Sequence, residues 1–184
     1  MGTLRLTGGT LRSRSVKTPS GRAVRPTPAR VKEALFSILA DRLDNANVLD
    51  LFAGTGALGF EALSRGAAHA TFVEQHRPTA EALRGSAQAL GLADRTTVLA
   101  MPAERAVRVV DGRYDLVFAD PPYAGAYPGA AFATLRERRA IDERSLVVYE
   151  HSSREPAPVD PAFAVQREAA YGEVSLAFLR PEPA

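Results

Sequence analysis

From residue 47 onward, short apolar runs rich in strand formers alternate with segments of helical period, a pattern that few folds satisfy. Residues 48–51, 70–74, 96–100, 114–119 and 146–150 read as strands, and 57–65, 78–90, 103–109 and 130–138 as helices. Gly66 and Gly91 follow two of the helical runs where a left-handed C-terminal stop is needed. Repeated βα units close only as a mostly parallel, doubly wound sheet, because the crossover from strand to parallel strand is right-handed. Two last alternating runs, 163–167 and 174–179, have no helical pattern between them. They read as an antiparallel hairpin closing one edge. The expected fold is therefore α/β and Rossmann-like, with a seven-stranded sheet ending in that hairpin. The proline-rich stretch 154–161 reads as a loose loop.

In such a sheet, ligands bind beyond the C-terminal ends of the strands, and two loops there carry chemistry. The first is Asp120-Pro121-Pro122-Tyr123, directly after the strand at 114–119. Consecutive prolines lack N–H groups and cannot continue a central strand, so the chain leaves the sheet at Asp120. The stiffened loop holds the Asp120 carboxylate, the Pro121 carbonyl and the Tyr123 ring in fixed relation. Two acceptors and a flat ring suit an exocyclic amino group on a planar base. The alternative is a strand-ending turn with an exposed carboxylate.

The second loop is Asp50-Leu51-Phe52-Ala53-Gly54-Thr55-Gly56-Ala57-Leu58-Gly59. Gly54, Gly56 and Gly59 satisfy G-x-G-x-x-G, and Glu74 lies where a ribose-binding acid is expected. Several cofactors use this turn, and Asp50 discriminates among them. A carboxylate before the glycines would repel a pyrophosphate and favour a ligand with positive charge there. S-adenosylmethionine carries an ammonium beside a sulfonium, and a ribose whose hydroxyls Glu74 could accept. The plainer reading of Asp50 is a turn-capping residue.

Composition narrows the remaining classes. There is no Cys, and the three His (His69, His76 and His151) include no pair at i, i+4, so no metal site is expected. No apolar run approaches the ~20 residues that cross a bilayer, and the N-terminus lacks a signal-peptide apolar region. A cytoplasmic protein is expected. Charge is uneven: residues 1–42 hold nine Lys/Arg against two Asp/Glu, a balance of +7, whereas the remainder holds fourteen against nineteen, a balance of −5. A basic end on a mildly acidic body suits contact with nucleic acid. Within that end, short alternating pieces around Gly8-Gly9 suggest a hairpin carrying Arg5, Arg12, Arg14 and Lys17, followed by Arg22 and Arg25. Guanidinium groups suit bidentate phosphate contacts. Thr27 and Pro28 then open a helix whose core stripe is Val31, Leu35, Ile38 and Leu39, while Arg30 and Lys32 are expected on another face, toward RNA or solvent. The organisation expected is a basic N-terminal β-hairpin arm over residues 1–24 and a transferase domain over 25–184.

Asp50-Leu51-Phe52-Ala53-Gly54-Thr55-Gly56 resembles motif I of the class I methyltransferases, and Asp120-Pro121-Pro122-Tyr123 resembles motif IV of their amino-methylating branch. With Leu4-Arg5-Leu6-Thr7-Gly8-Gly9, the run 25–36 beginning Arg25-Pro26-Thr27, the run 56–66, and Tyr171-Gly172, nearly the whole chain resembles the RsmD family. The resemblance implies methylation of N2 of one guanine in bacterial 16S rRNA, in a small-subunit assembly intermediate, by a monomer. It also implies Asp50, Phe52, Gly54, Gly56, Glu74, Ala103 and Thr27 as the cofactor site, and Asp120, Pro121 and Tyr123 as the catalytic group. Arg5, Arg12, Arg14, Lys17, Arg22, Arg25 and Arg30 are the expected RNA contacts. Gln75-His76 after Glu74, and Pro102 where an Asp or Asn commonly precedes Ala103, depart from the family pattern. The backbone N–H of Ala103 can still meet the adenine, and Glu104 could substitute for the missing side chain. Two other readings share these residues: adenine N6 methylation of DNA or RNA, and a non-catalytic assembly factor. A dehydrogenase explains neither Asp50 nor the double proline.

Overall fold

The computed structural model describes residues 2–18, 29–122 and 127–183. Strands β1 (Gly2–Arg5) and β2 (Ser15–Thr18) pair antiparallel as a small separate hairpin. The helix α1 (Ala29–Ile38) leads into the main sheet. There β3 (Asn47–Asp50), α2 (Ala57–Ser64), β4 (His69–Val73), α3 (Arg77–Leu90) and β5 (Thr96–Leu99) follow in turn. The chain continues through α4 (Ala103–Ala106), β6 (Leu116–Ala119), α5 (Gly129–Glu137) and β7 (Leu146–Ser152). It ends in the hairpin β8 (Phe163–Tyr171) and β9 (Val174–Pro181). The strand order is β5-β4-β3-β6-β7-β9-β8. The five strands β3 to β7 run parallel, and β9 joins β7 antiparallel with β8 outermost. The expected α/β architecture is thus present, with the terminal hairpin longer than its alternating runs suggested.

Alternation along each strand splits the core into two layers. Val48, Leu116, Phe118 and Val148 pack with Leu35, Phe36, Phe60, Leu63 and Leu83 on the α1–α3 face. Leu49, Val117, Val147 and Tyr149 pack with Ala106, Phe132 and Leu135 on the α4–α5 face. Full burial of each large apolar side chain contributes about 1.5–3 kcal/mol. The ring of Phe36 meets Phe118 edge-on at 5.9 Å, tying α1 to the sheet centre. Gly59 lets α2 close on β4, since a Cβ there would come within 2.2 Å of the Phe72 ring.

β3 continues outward to β4 and β5 on one side, and the chain then crosses to β6 on the other. The switch point lies between β3 and β6, which pair through Val48↔Leu116 and Asp50↔Phe118. Asp50 ends one of these strands and Asp120 follows the other, so both carboxylates flank the crevice where such sheets bind ligands.

Candidate active site

Asp50 is 3% exposed and its Oδ2 accepts the Gly59 N–H at 3.3 Å. Burial raises its pKa from 3.8 to about 7, the bonds from the Gly59 and Phe52 N–H groups oppose the rise, and the charges of Asp120 and Glu74 add to it. A carboxylate so placed bears a desolvation cost and a like-charge cost together. A cationic group brought against it relieves both.

The glycine loop makes a tight turn held by backbone bonds, one to β4 and one within the loop. The Ala53 N–H donates to Val73 O at 2.9 Å and the Gly56 N–H to Ala53 O at 2.7 Å. Gly56 sits at φ +81° at the start of α2, and a Cβ there would meet the Phe60 ring and Leu83 at 2.6 Å. A Cβ on Gly54 would meet nothing within 4 Å, so the loop is open on that side. Glu74 braces the turn: its Oε2 accepts the Gly54 N–H at 3.0 Å and its Oε1 the His76 N–H at 2.7 Å. Each oxygen keeps a further lone pair for a ribose hydroxyl. His76 thus has a structural place beside Glu74, and its Nδ1 lies 2.8 Å from Thr79 Oγ1. Phe52 is half-buried against the α4–α5 core layer. Ala103 opens α4 as a buried residue behind Pro102, and Glu104 is exposed.

Asp120 is half-buried where β6 ends, and burial raises its pKa to about 6. Strand alternation puts Asp120 with Phe118 on the α1–α3 face, the face that Asp50 shares with Val48. Pro121 is half-buried and Pro122 exposed. Tyr123, Thr27, Arg22 and Arg25 lie outside the described residues, as do the Thr27–Pro28 start of α1 and its capping.

The N-terminal hairpin is bolted to α2. Glu61, fully buried, receives the Thr7 N–H at 3.0 Å, the Thr7 hydroxyl at 2.9 Å, Arg65 Nε at 2.9 Å and Lys32 Nζ at 3.2 Å. Burial alone would push the Glu61 pKa up, but the Thr7 N–H, Arg65, Lys32 and the Thr7 hydroxyl together hold it below the usual value. Lys32 does not face RNA or solvent as its helical position suggested. It is 4% exposed, and its ammonium also donates to Arg5 O at 2.9 Å. Ser64 Oγ donates to Gly8 O at 2.6 Å and accepts the Leu11 N–H at 3.0 Å. Leu6 and Val16 enter the core layer beneath. Glu61, Ser64 and Arg65 are spaced for one helix face, a polar stripe within an otherwise apolar α2, and that spacing is the signal that could have exposed the dock.

Arg5, Arg12, Arg14 and Arg30 are exposed. The hairpin tip meets the end of α2 remote from the glycine loop, and Arg14 reaches Ala89 O near the far end of α3 at 3.1 Å. At 1.5 Å per residue these contacts lie about 12 Å and about 20 Å along their helices from the crevice end. Lys17 stands on β2 opposite Thr3. No group of three or more His, Cys, Asp or Glu suited to a metal occurs among the described residues.

A mostly parallel sheet whose switch point holds a glycine turn, a buried anion that a cation would relieve, and an Asp-Pro-Pro exit defines a class I methyltransferase, with S-adenosylmethionine as methyl donor. The family model described as conserved hypothetical protein 95 matches residues 4–180. Ribosomal RNA small subunit methyltransferase D of Escherichia coli strain K12 is 33% identical over 175 residues, covering 95% of this chain and 88% of that protein. Its namesake in Haemophilus influenzae is 30% identical over 177 residues, covering 95% and 92%. The solved structure of yhhF from Escherichia coli superposes with a TM-score of 0.88 at 32% identity, covering 100% of both chains. The chain belongs to the RsmD family of methyltransferases.

Proposed function

We propose that the protein methylates the exocyclic N2 of a guanine in 16S rRNA, within a small-subunit assembly intermediate, acting as a monomer in the cytoplasm. The observation that carries this reading is the pair Asp50 and Asp120 flanking one switch point, the first buried for a cationic ligand and the second ending in a proline-stiffened exit. The relatives named ribosomal RNA small subunit methyltransferase D support rRNA as the substrate class.

S-adenosylmethionine, when bound, would supply an electrophilic methyl group whose bond to sulfur breaks as the bond to nitrogen forms, leaving neutral S-adenosylhomocysteine. Asp50 and the backbone around Gly54 and Gly56 would hold its amino-acid end, Glu74 the ribose, Phe52 and Ala103 the adenine side, with Thr27 closing the site. The guanine N2 lone pair is delocalised into the ring and is a weak nucleophile. Asp120 and the Pro121 carbonyl accept the two N–H hydrogens, which localises that lone pair and stabilises positive charge developing on nitrogen. Once the N–methyl bond forms, one N2 proton leaves to Asp120 or through it to water. With its pKa raised toward 6 by burial, Asp120 is a better base than an exposed carboxylate. Tyr123 stacks on the base, which must leave its own stack to enter. Alignment of two bound substrates supplies most of the acceleration.

Residues 1–24 form the RNA-contacting unit in this reading, and 25–184 the transferase domain. Arg5, Arg12, Lys17, Arg22, Arg25 and Arg30 contact phosphates, and Arg14 does so while it caps α3. The decisive experiment incubates the protein and labelled S-adenosylmethionine with 30S particles, and separately with naked 16S rRNA, from a strain lacking the enzyme, followed by nucleoside analysis. N2-methylguanine from the particles is expected. N6-methyladenine would reassign the base, and no labelled nucleoside would point to a binding factor.

A further inference from the structure

The Asp-Pro-Pro segment is anchored upstream by β6, and Tyr127, the next described residue after Pro122, is held as well. Tyr127 packs edge-on against Tyr149 at 5.3 Å and against Phe132 at 5.5 Å. Tyr149 is the β7 neighbour of Ala119, the residue immediately before Asp120. The Tyr127 hydroxyl donates to Asp160 Oδ2 at 3.2 Å. Asp160 belongs to the proline-rich connection between β7 and β8, and it is locked in place. Its Oδ1 accepts the Ala162 N–H at 2.9 Å and its carbonyl accepts the Phe163 N–H at 2.9 Å. Gly129 completes the fit, because a Cβ there would come 2.8 Å from the Tyr127 ring and 3.4 Å from Asp160 Oδ2.

These contacts lie on the α4–α5 face, behind the face that carries Asp120 and Asp50. Nothing in methyl transfer uses Tyr127 or Asp160, yet a half-buried hydroxyl and an ordered carboxylate meet in a bond between two loops. Burial and the adjacent Asp160 raise the Tyr127 pKa well above its ordinary value, so the hydroxyl stays protonated as a donor.

We propose that Tyr127 and Asp160 form a latch that positions the Asp120-Pro121-Pro122 segment for methyl transfer, with Gly129 as the gap that admits it. The proposal rests on the reading of that segment as the amine-binding group. The two residues are positioning residues: they bear on turnover through the geometry of Asp120 and the Pro121 carbonyl. A small misplacement of an acceptor costs rate steeply, while Asp50 and the glycine loop, which hold the amino-acid end of the cofactor in this reading, make none of the latch contacts.

The test uses Tyr127→Phe, Asp160→Ala, their double variant and Gly129→Ala in the full chain, with Asp120→Ala as control. Single-turnover rate on rRNA-containing particles, S-adenosylmethionine affinity and melting temperature are measured for each. Tyr127→Phe and Asp160→Ala are each expected to lose about tenfold in rate with cofactor affinity unchanged, and the double variant to lose no more than either alone. Gly129→Ala, a change that ordinarily favours a helix, is expected to lose rate as well. A wild-type rate in Tyr127→Phe overturns the latch. So does a loss that falls equally on cofactor affinity and melting temperature, or additive losses in the double variant. If Asp120→Ala is inactive while Tyr127→Phe is unaffected, only the latch fails. A wild-type rate in Asp120→Ala removes the reading of the segment and the latch with it.

Discussion

Replacing Asp50 by Asn should stabilise the protein and impair it. The Asp50 carboxyl titrates near 7 in the folded chain against an ordinary value of 3.8, a difference of about three units. At 1.36 kcal/mol per unit, ionised Asp50 costs the folded state up to about 4 kcal/mol. A raised folded pKa means that the folded protein binds the proton more tightly than the unfolded chain. The cost is therefore fully present above about pH 7, shrinks as the pH falls, and is gone below 3.8. Asn keeps an acceptor for the Gly59 N–H but has no charge to desolvate. Chemical denaturation should find Asp50→Asn more stable than wild type by about 1–4 kcal/mol at pH 8, converging toward equality near pH 4.

Cofactor binding should move the other way. Losing a charge-assisted contact should weaken S-adenosylmethionine binding by about 1.5–3 kcal/mol at pH 8. In the wild type, binding at pH 6 should release a proton, because a bound cation draws the Asp50 pKa down from about 7. Calorimetry in buffers of different ionisation enthalpy reads that proton directly, and Asp50→Asn should release none from this site. A mutant less stable than wild type at pH 8, or one binding the cofactor equally well, would refute the reasoning.

Asp120→Ala should lower turnover by ~10²-fold or more with cofactor affinity changed far less, and wild-type kcat/KM should fall on the acid side of about pH 6–7 as Asp120 and Asp50 take up protons. A pH–rate profile and single-turnover kinetics check both. Glu61→Ala strands the buried Lys32 ammonium and the Thr7 N–H and should cost about 3–5 kcal/mol by denaturant titration; a cost below about 1 kcal/mol would mean that the hairpin dock is expendable. Arg5→Glu and Arg12→Glu, both on exposed side chains, should weaken RNA binding and flatten its log–log salt dependence by about one per contact, with denaturation midpoints unchanged. Charge reversal is the cleaner test than truncation, since removing the hairpin would also strip Leu6 and Val16 from the core.

What was legible in the sequence was local. Strand and helix periods, the glycine turn before α2 and the double proline after β6 are each determined by residues within a few positions, and the structure keeps them within one to three residues at most ends. Asp50 and Asp120 could be placed at strand ends for the same reason, and parallel pairing then brings 70 residues of separation down to one crevice. Lys32 was illegible because its partners are tertiary. Helical spacing says which direction a side chain leaves α1, and says nothing of a carboxylate 29 residues on that removes it from water.

The same limit hid the docking of the basic end. Its charge balance suggested an arm, yet Thr7, Gly8 and Leu11 satisfy their polar groups on Glu61 and Ser64, more than 50 residues away. This gives a physical reason for the family motifs at 4–9, 25–36 and 56–66 to occur together: pieces of all three meet around Glu61. A buried anion facing Lys32 and Arg65 is expensive to leave half-paired, so the three segments hold the hairpin in one orientation or lose stability. Because α2 also presents the Gly59 N–H to Asp50, one eight-residue helix fixes the basic hairpin relative to the Asp50 carboxylate. A substitution that loosened the dock would therefore misplace the hairpin's arginines relative to the crevice even where the glycine turn and the Asp-Pro-Pro exit stayed intact.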